Sequence, residues 1–158
     1  MSFHVHGLSA ALGAALVLGT TPGAAIAETT QERLKRGEAV IRSLNNGAPQ
    51  PNLERMRQEF PFLAEATEGY ALGDVWSRPG LDTRTRQLAA VAVLAALGET
   101  TVMKVHAGYA LNIGVPEEEL KEVIYTVTVL AGFPRAIAAS AALSELLAAR
   151  RAAVPRQP

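Results

Sequence analysis

Residues 82–114 read DTRTRQLAAVAVLAALGETTVMKVHAGYALNIG, and this stretch decides the fold. Asp82 is a good N-cap for a helix from Thr83 to Leu97, and Gly98 supplies the left-handed residue that ends one. Thr100 caps a second helix that ends at Ile113, before Gly114. Both are rich in alanine and apolar on most sides, which is the composition of helices packed against others on several faces. These two are the central helices of an all-α domain.

The same punctuation extends outward. Thr29-x-x-Glu32 is a capping box, followed at helical spacing by Leu34, Val40, Ile41 and Leu44 and closed by Asn45-Asn46-Gly47. Asn52 is a cap for a second segment, which Phe60-Pro61 interrupts because a residue before proline avoids the helical region. Pro61 opens a third segment to about Leu72. A non-periodic stretch, Gly73–Leu81, holds the single tryptophan, Trp76. Beyond the central pair, Pro116 with Glu117, Glu118 and Glu119 marks a helix start. That helix reaches Ala131 and stops at Gly132. The β-branched run Thr126–Val129 would suit a strand, but the flanking signals favour one helix. Pro134 opens the last helix, to about Arg150. The expectation is a compact all-α bundle of about six or seven helices over residues 28–151, with residues 152–158 a frayed tail.

Residues 1–27 read as a targeting segment. Leu8–Leu18 is an apolar run too short for the roughly 20 residues that span a bilayer. Thr20–Gly23 breaks it, and Ala25-Ile26-Ala27 is a small-x-small cleavage signature. The segment before the run carries His4 and His6 but no lysine or arginine, so an uncleaved tail is the other reading. A signal peptide cleaved after Ala27 predicts a periplasmic or secreted protein without stable membrane association.

All 15 basic and 15 acidic residues lie beyond Ala27, so the domain is formally neutral. It has no basic surplus or polybasic run to bind nucleic acid. The absence of cysteine removes disulfides, thiol nucleophiles and thiolate metal sites together. Few aromatics are available to fill a core, so close helix contacts and a sizeable subunit interface are expected.

Beyond residue 27 the only histidine is His106. One helical turn away lie Val102 and Met103 on one side and Tyr109 and Ala110 on the other, so it projects from an apolar face. Such a histidine is either a hydrogen-bonded core residue or an acid–base group, whose ordinary pKa near neutrality suits proton transfer. Metal binding is not expected, since one histidine without cysteine or paired carboxylates offers too few ligands.

A series of short motifs then converges on His106. Val75-Trp76-Ser77-Arg78-Pro79-Gly80-Leu81-Asp82, Thr85-Arg86, Leu94–Gly98, Lys104-Val105-His106, Ala110-Leu111-Asn112-x-Gly114-Val115, Glu118–Val123 and Ala131-Gly132-x-Pro134 follow in order. Together they resemble the carboxymuconolactone decarboxylase family, from about Arg36 to Leu147. The resemblance implies an alkylhydroperoxidase-like helical fold assembled as a homotrimer or homohexamer, with sites near subunit contacts. It also implies a cofactor-free lyase that decarboxylates 4-carboxymuconolactone or a related small carboxylated metabolite, with His106 as general acid–base. In the family's peroxidase branch two cysteines precede the histidine, and here those positions are Glu99 and Val102. Thiol peroxidase chemistry is therefore not expected, because the thiolate is its nucleophile. The family commonly carries glutamate 19 positions before the histidine; here it is Gln87, which hydrogen-bonds but takes up no proton in this role. A Glu–His proton relay is therefore broken, or another carboxylate such as Glu99 replaces the missing one. Arg78 and Arg86 are candidates for a bidentate grip on a substrate carboxylate, and Arg78 serves equally to tie loop to helix. Trp76 is a core or interface anchor or a substrate stack. The alternative function is a non-catalytic oligomeric domain that binds a small acid or a partner.

Overall fold

The computed structural model describes residues 28–153. The predicted targeting segment and the last five residues lie outside the described residues. Seven α-helices and one π-helical segment make up the chain, with no strand among the described residues: α1 (Thr30–Leu44), α2 (Pro51–Glu59), α3 (Pro61–Ala66), the π-helical segment Thr67–Trp76, α4 (Thr83–Leu97), α5 (Thr100–Asn112), α6 (Glu117–Ala131) and α7 (Phe133–Ala153). The all-α expectation holds, and the β-branched run lies inside α6. No described helix is long and apolar enough to cross a membrane.

The caps act largely where the sequence puts them. Thr29 Oγ1 accepts from Glu32 N–H and the Glu32 carboxylate accepts from Thr29 N–H at 2.8 Å, completing the capping box. Asp82 accepts from Thr85 N–H at 2.8 Å to start α4, and Gly98 ends it in the left-handed region at φ 83°. Four starts differ from the sequence reading; α7 begins at Phe133, one residue before Pro134, and it runs on to Ala153, through the first two residues of the expected tail. The cap of α2 is Gln50, whose side chain accepts from Asn52 N–H, while Pro51 takes the first helical position. Glu99, not Thr100, is the N-cap of α5 and makes no side-chain cap bond. Pro116 caps α6 rather than opening it.

Helices α4–α7 form one bundle in which α4 and α7 each touch the other three. Its core is Val91 and Ala95 of α4, Met103, Ala107 and Ala110 of α5, Leu120, Ile124 and Val127 of α6, and Ala139, Leu143 and Leu147 of α7. So many buried alanines let the helix axes come close. A second, smaller core joins α1, α2 and the π-helical segment to α5 through Ile41, Leu44, Leu53, Leu72 and Tyr109. At the end of the bundle, Tyr125, Val129, Leu130, Phe133 and Ile137 stand exposed around the α6–α7 connection.

The stretch expected to be a loop from Gly73 is instead helical to Trp76, in the wider π register; Ser77 N–H reaches back five residues to Leu72 O at 3.1 Å. Two glycines explain how it packs. A Cβ on Gly37 of α1 would lie 2.1 Å from the carbonyl oxygen of Glu68, and one on Gly73 would lie 2.2 Å from that of Arg33. Backbone therefore meets backbone at both ends of the contact. Arg33 adds a two-oxygen grip on Asp74 (Nε to Oδ1 3.0 Å and Oδ2 2.9 Å), and Arg36 Nε donates to Gly73 O at 2.7 Å. This docking sets the position of Trp76, three residues on.

Alanine at an ordinary helix-interior glycine stabilises by roughly 0.5–1 kcal/mol. Here the sign reverses. Gly37→Ala or Gly73→Ala forces the two backbones apart, at about 1–3 kcal/mol by the cost of overpacking. Thermal unfolding of each variant is expected to show a Tm lowered by several degrees. An unchanged or raised Tm would contradict the close approach.

Candidate functional site

Gln87 lies in the second turn of α4 and His106 in the middle of α5, and the helix pair brings them together. His106 Nδ1 is 2.9 Å from Gln87 Oε1. Gln87 is 0 % exposed, one of only two polar or charged residues buried among the described residues. A carbonyl oxygen only accepts, so the proton in this bond sits on Nδ1. In the neutral ring that leaves the lone pair on Nε2.

Two aromatic rings flank the imidazole. Trp76 from the π-helical segment lies 5.5 Å away between centroids, tilted by 39°. Tyr109, three residues along α5, meets it edge-on at 5.9 Å. Burial by these neighbours lowers the His106 pKa from its ordinary value, because the imidazolium is poorly solvated there. The neutral amide of Gln87 offers no charge to oppose that effect, whereas a carboxylate would. Burial likewise raises the Tyr109 phenol.

The surroundings carry an unusual feature. Three buried side-chain polar atoms have no hydrogen-bond partner among the described residues: Trp76 Nε1, Gln87 Nε2 and Tyr109 Oη. All three belong to the side chains around His106. Leaving such a group unmade costs about 1–3 kcal/mol, so three around one imidazole are a cost that core packing alone does not explain.

The other predicted site residues part company. Arg86 Nη2 donates to the carbonyls of Arg78 at 2.7 Å and Leu81 at 3.3 Å. It is thus Arg86 that ties the loop to the helix. Arg78 is exposed and lines a cleft of about 560 Å³ together with Arg36 and Trp76. Glu99 is exposed at the start of α5, seven residues before His106, or about 10 Å along the helix axis. It stands apart from the Gln87–His106 pair. Val102 is also exposed. Among the described residues no group of three or more His, Cys, Asp or Glu side chains is arranged to hold a metal.

Two features escape a reading of the sequence. Glu68 in the π-helical segment is buried and gripped by Arg57, whose Nε donates to Glu68 Oε2 at 3.1 Å. Their spacing of 11 residues across a proline break gave no signal. Tyr109 was visible as a neighbour of His106 at i+3, but not its buried, unpartnered hydroxyl.

Fold and site together define a cysteine-free helical domain built around a buried amide–imidazole pair. The chain belongs to the carboxymuconolactone decarboxylase family, whose pattern it matches over residues 61–145. It is 42% identical over 89 residues to a 4-carboxymuconolactone decarboxylase of Acinetobacter baylyi, a match covering 56% of this chain and 63% of that one. It is 32% identical over 87 residues to a nitrosuccinic acid decarboxylase of Metarhizium robertsii, covering 53% and 61%. An uncharacterized protein of Methanocaldococcus jannaschii is 30% identical over 98 residues, covering 62% of this chain and 91% of its own length. The chain thus spans about three-fifths of the two named decarboxylases.

The buried imidazole makes stability depend on pH in a definite direction. The unfolded chain takes up a proton near the ordinary histidine pKa of about 6.5, and the folded chain only below it. Stability is therefore full above that value and falls as pH drops toward the folded pKa. Urea unfolding of residues 28–158 between pH 7.5 and 5 should show this decline, and His106→Gln should flatten it. A decline of equal slope in the variant would remove His106 as its source.

Proposed function

We propose that this protein is a cofactor-free, decarboxylase-type lyase for a small carboxylated lactone or related metabolite, with His106 as general acid–base. The observation that carries the reading is the hydrogen bond from His106 Nδ1 to the fully buried Gln87. It fixes the ring and leaves Nε2 as the atom that takes up and delivers the proton. The two named relatives, both called decarboxylases, support the same class.

The chemistry follows from electron flow. The substrate carboxylate leaves as carbon dioxide, and the electrons of the broken C–C bond pass to the conjugated lactone carbonyl, giving a dienolate. The protonated Nε2 of His106 then delivers its proton to carbon, and water restores it. Developing negative charge on the carbonyl oxygen needs donors held in a dry place. The unpartnered N–H groups of Trp76 and Gln87 are of that kind. An anionic substrate also raises the imidazole pKa by direct attraction, so binding itself charges the acid. Arg78, free of the loop-tying role of Arg86 and lining a cleft with Trp76, is the arginine this reading assigns to a second carboxylate.

Gln87 favours a second reading, in which the site binds a small acid without turnover, since an amide cannot relay a proton. Two variants separate the readings. The protein should release carbon dioxide from 4-carboxymuconolactone, and His106→Ala should lose about 100-fold or more, the usual share of general acid–base catalysis. Gln87→Glu should shift the pH optimum upward, because a carboxylate beside the imidazole raises its pKa. Full activity in His106→Ala would end the proposed role. Substrate-induced stabilisation with no carbon dioxide released would favour the binding reading.

A further inference from the structure

A second cleft, of about 580 Å³, opens on another side of α5, between that helix, α7 and the 45–50 connection. His106 does not line it, and the Arg78 cleft shares none of its lining residues. Its walls combine an apolar part, from Val105, Leu146 and Ala149, with Lys104 and Arg150.

Three features point to a ligand. Lys104 Nζ is paired with Glu145 at 3.0 Å, so those two charges cancel. Arg150 is different: its Nη1 donates to the neutral Asn112 Oδ1 at 3.0 Å. No carboxylate among the described residues pairs with it, and a planar guanidinium with unused donors suits an anion. Tyr109 lines the same cleft, is only 5 % exposed, and its hydroxyl has no partner among the described residues. Gln50 is its polar neighbour: the side chain's Oε1 accepts from Asn52 N–H, and its amide partly offsets the rise that burial gives the phenol. Gly108 is the third feature. It sits in the interior of α5, where glycine weakens a helix relative to alanine. A Cβ there would meet nothing within 4 Å, so no packing constraint in the chain requires glycine. What the missing side chain preserves is the open floor of the cleft.

We propose that this cleft is a binding site for a small organic acid with an aromatic or alicyclic body. Arg150 binds the carboxylate, Tyr109 donates a hydrogen bond, and the ring lies over Gly108 against Leu146 and Ala149. The proposal is independent of turnover at His106.

The test is calorimetric titration of the full chain with 2-naphthoate and, as the uncharged counterpart, 2-naphthylmethanol. The acid should bind one per chain and the alcohol at least about tenfold more weakly, as a lost charge-assisted bond dictates. Arg150→Gln should weaken 2-naphthoate by a similar factor. Gly108→Leu and, from the opposite wall, Ala149→Leu should abolish binding without lowering the unliganded Tm. Arg78→Gln and His106→Gln should leave it unchanged. The proposal is overturned by equal affinity for acid and alcohol, or by no binding up to about 10 mM. Binding that survives both leucine variants, or is lost in Arg78→Gln instead, also overturns it. So does a change of molar mass in Gly108→Leu by light scattering, since a second copy of the chain would then be covering the cleft.

Discussion

The hydrogen bond between Gln87 and His106 is the constraint on which the site depends. It joins the second turn of α4 to the middle of α5, at the start of the close alanine packing that holds the bundle together. Because Gln87 is fully buried, its carbonyl has no water to turn to, and the imidazole has one orientation that satisfies it. Because Gln87 is neutral, it orients the ring without stabilising its charge. A carboxylate at the same place would do both. The amide at this position thus separates two duties that a carboxylate would join, and leaves the imidazolium without a charged partner in the pair.

The aromatic wall around the imidazole is made at a distance. Trp76 reaches His106 because the π-helical segment lies backbone to backbone on α1, an approach that Gly37 and Gly73 alone permit. The Arg33–Asp74 and Arg36–Gly73 contacts then fix how far along α1 the segment sits. Packing in one small core therefore decides the polarity of a site in the other. The unpartnered atoms of Trp76, Gln87 and Tyr109 oppose folding, and the buried apolar surface of the two cores offsets them.

Much of the fold is legible in the sequence because its helices are bounded by local chemistry. Thr29 with Glu32, Asp82, and the glycines at 98, 114 and 132 act within a few residues of themselves, and positions so determined can be read without tertiary knowledge. The π-helical segment is hidden for the opposite reason. Its wider turn departs from the 3.6-residue repeat, and what stabilises it is a distant helix that meets it through missing side chains. At the site, His106 and Gln87 were visible, the one as a lone histidine and the other through family resemblance. The division of labour between Arg78 and Arg86 was not, because it depends on which guanidinium the loop carbonyls face. Nor was the α5–α7 cleft, whose Lys104 and Arg150 come from helices that meet only in three dimensions.

The central claim is that a buried amide orients a single imidazole whose burial keeps it neutral, with its proton on Nδ1. Nitrogen-15 NMR of His106 tests this most directly, in protein comprising residues 28–158, where it is the only histidine. The account predicts the Nδ1–H tautomer at pH 7.5, a titration midpoint below the ordinary value of about 6.5, and a mixture of tautomers in Gln87→Leu. An Nε2–H tautomer, or a midpoint above that value in the unliganded protein, would contradict it.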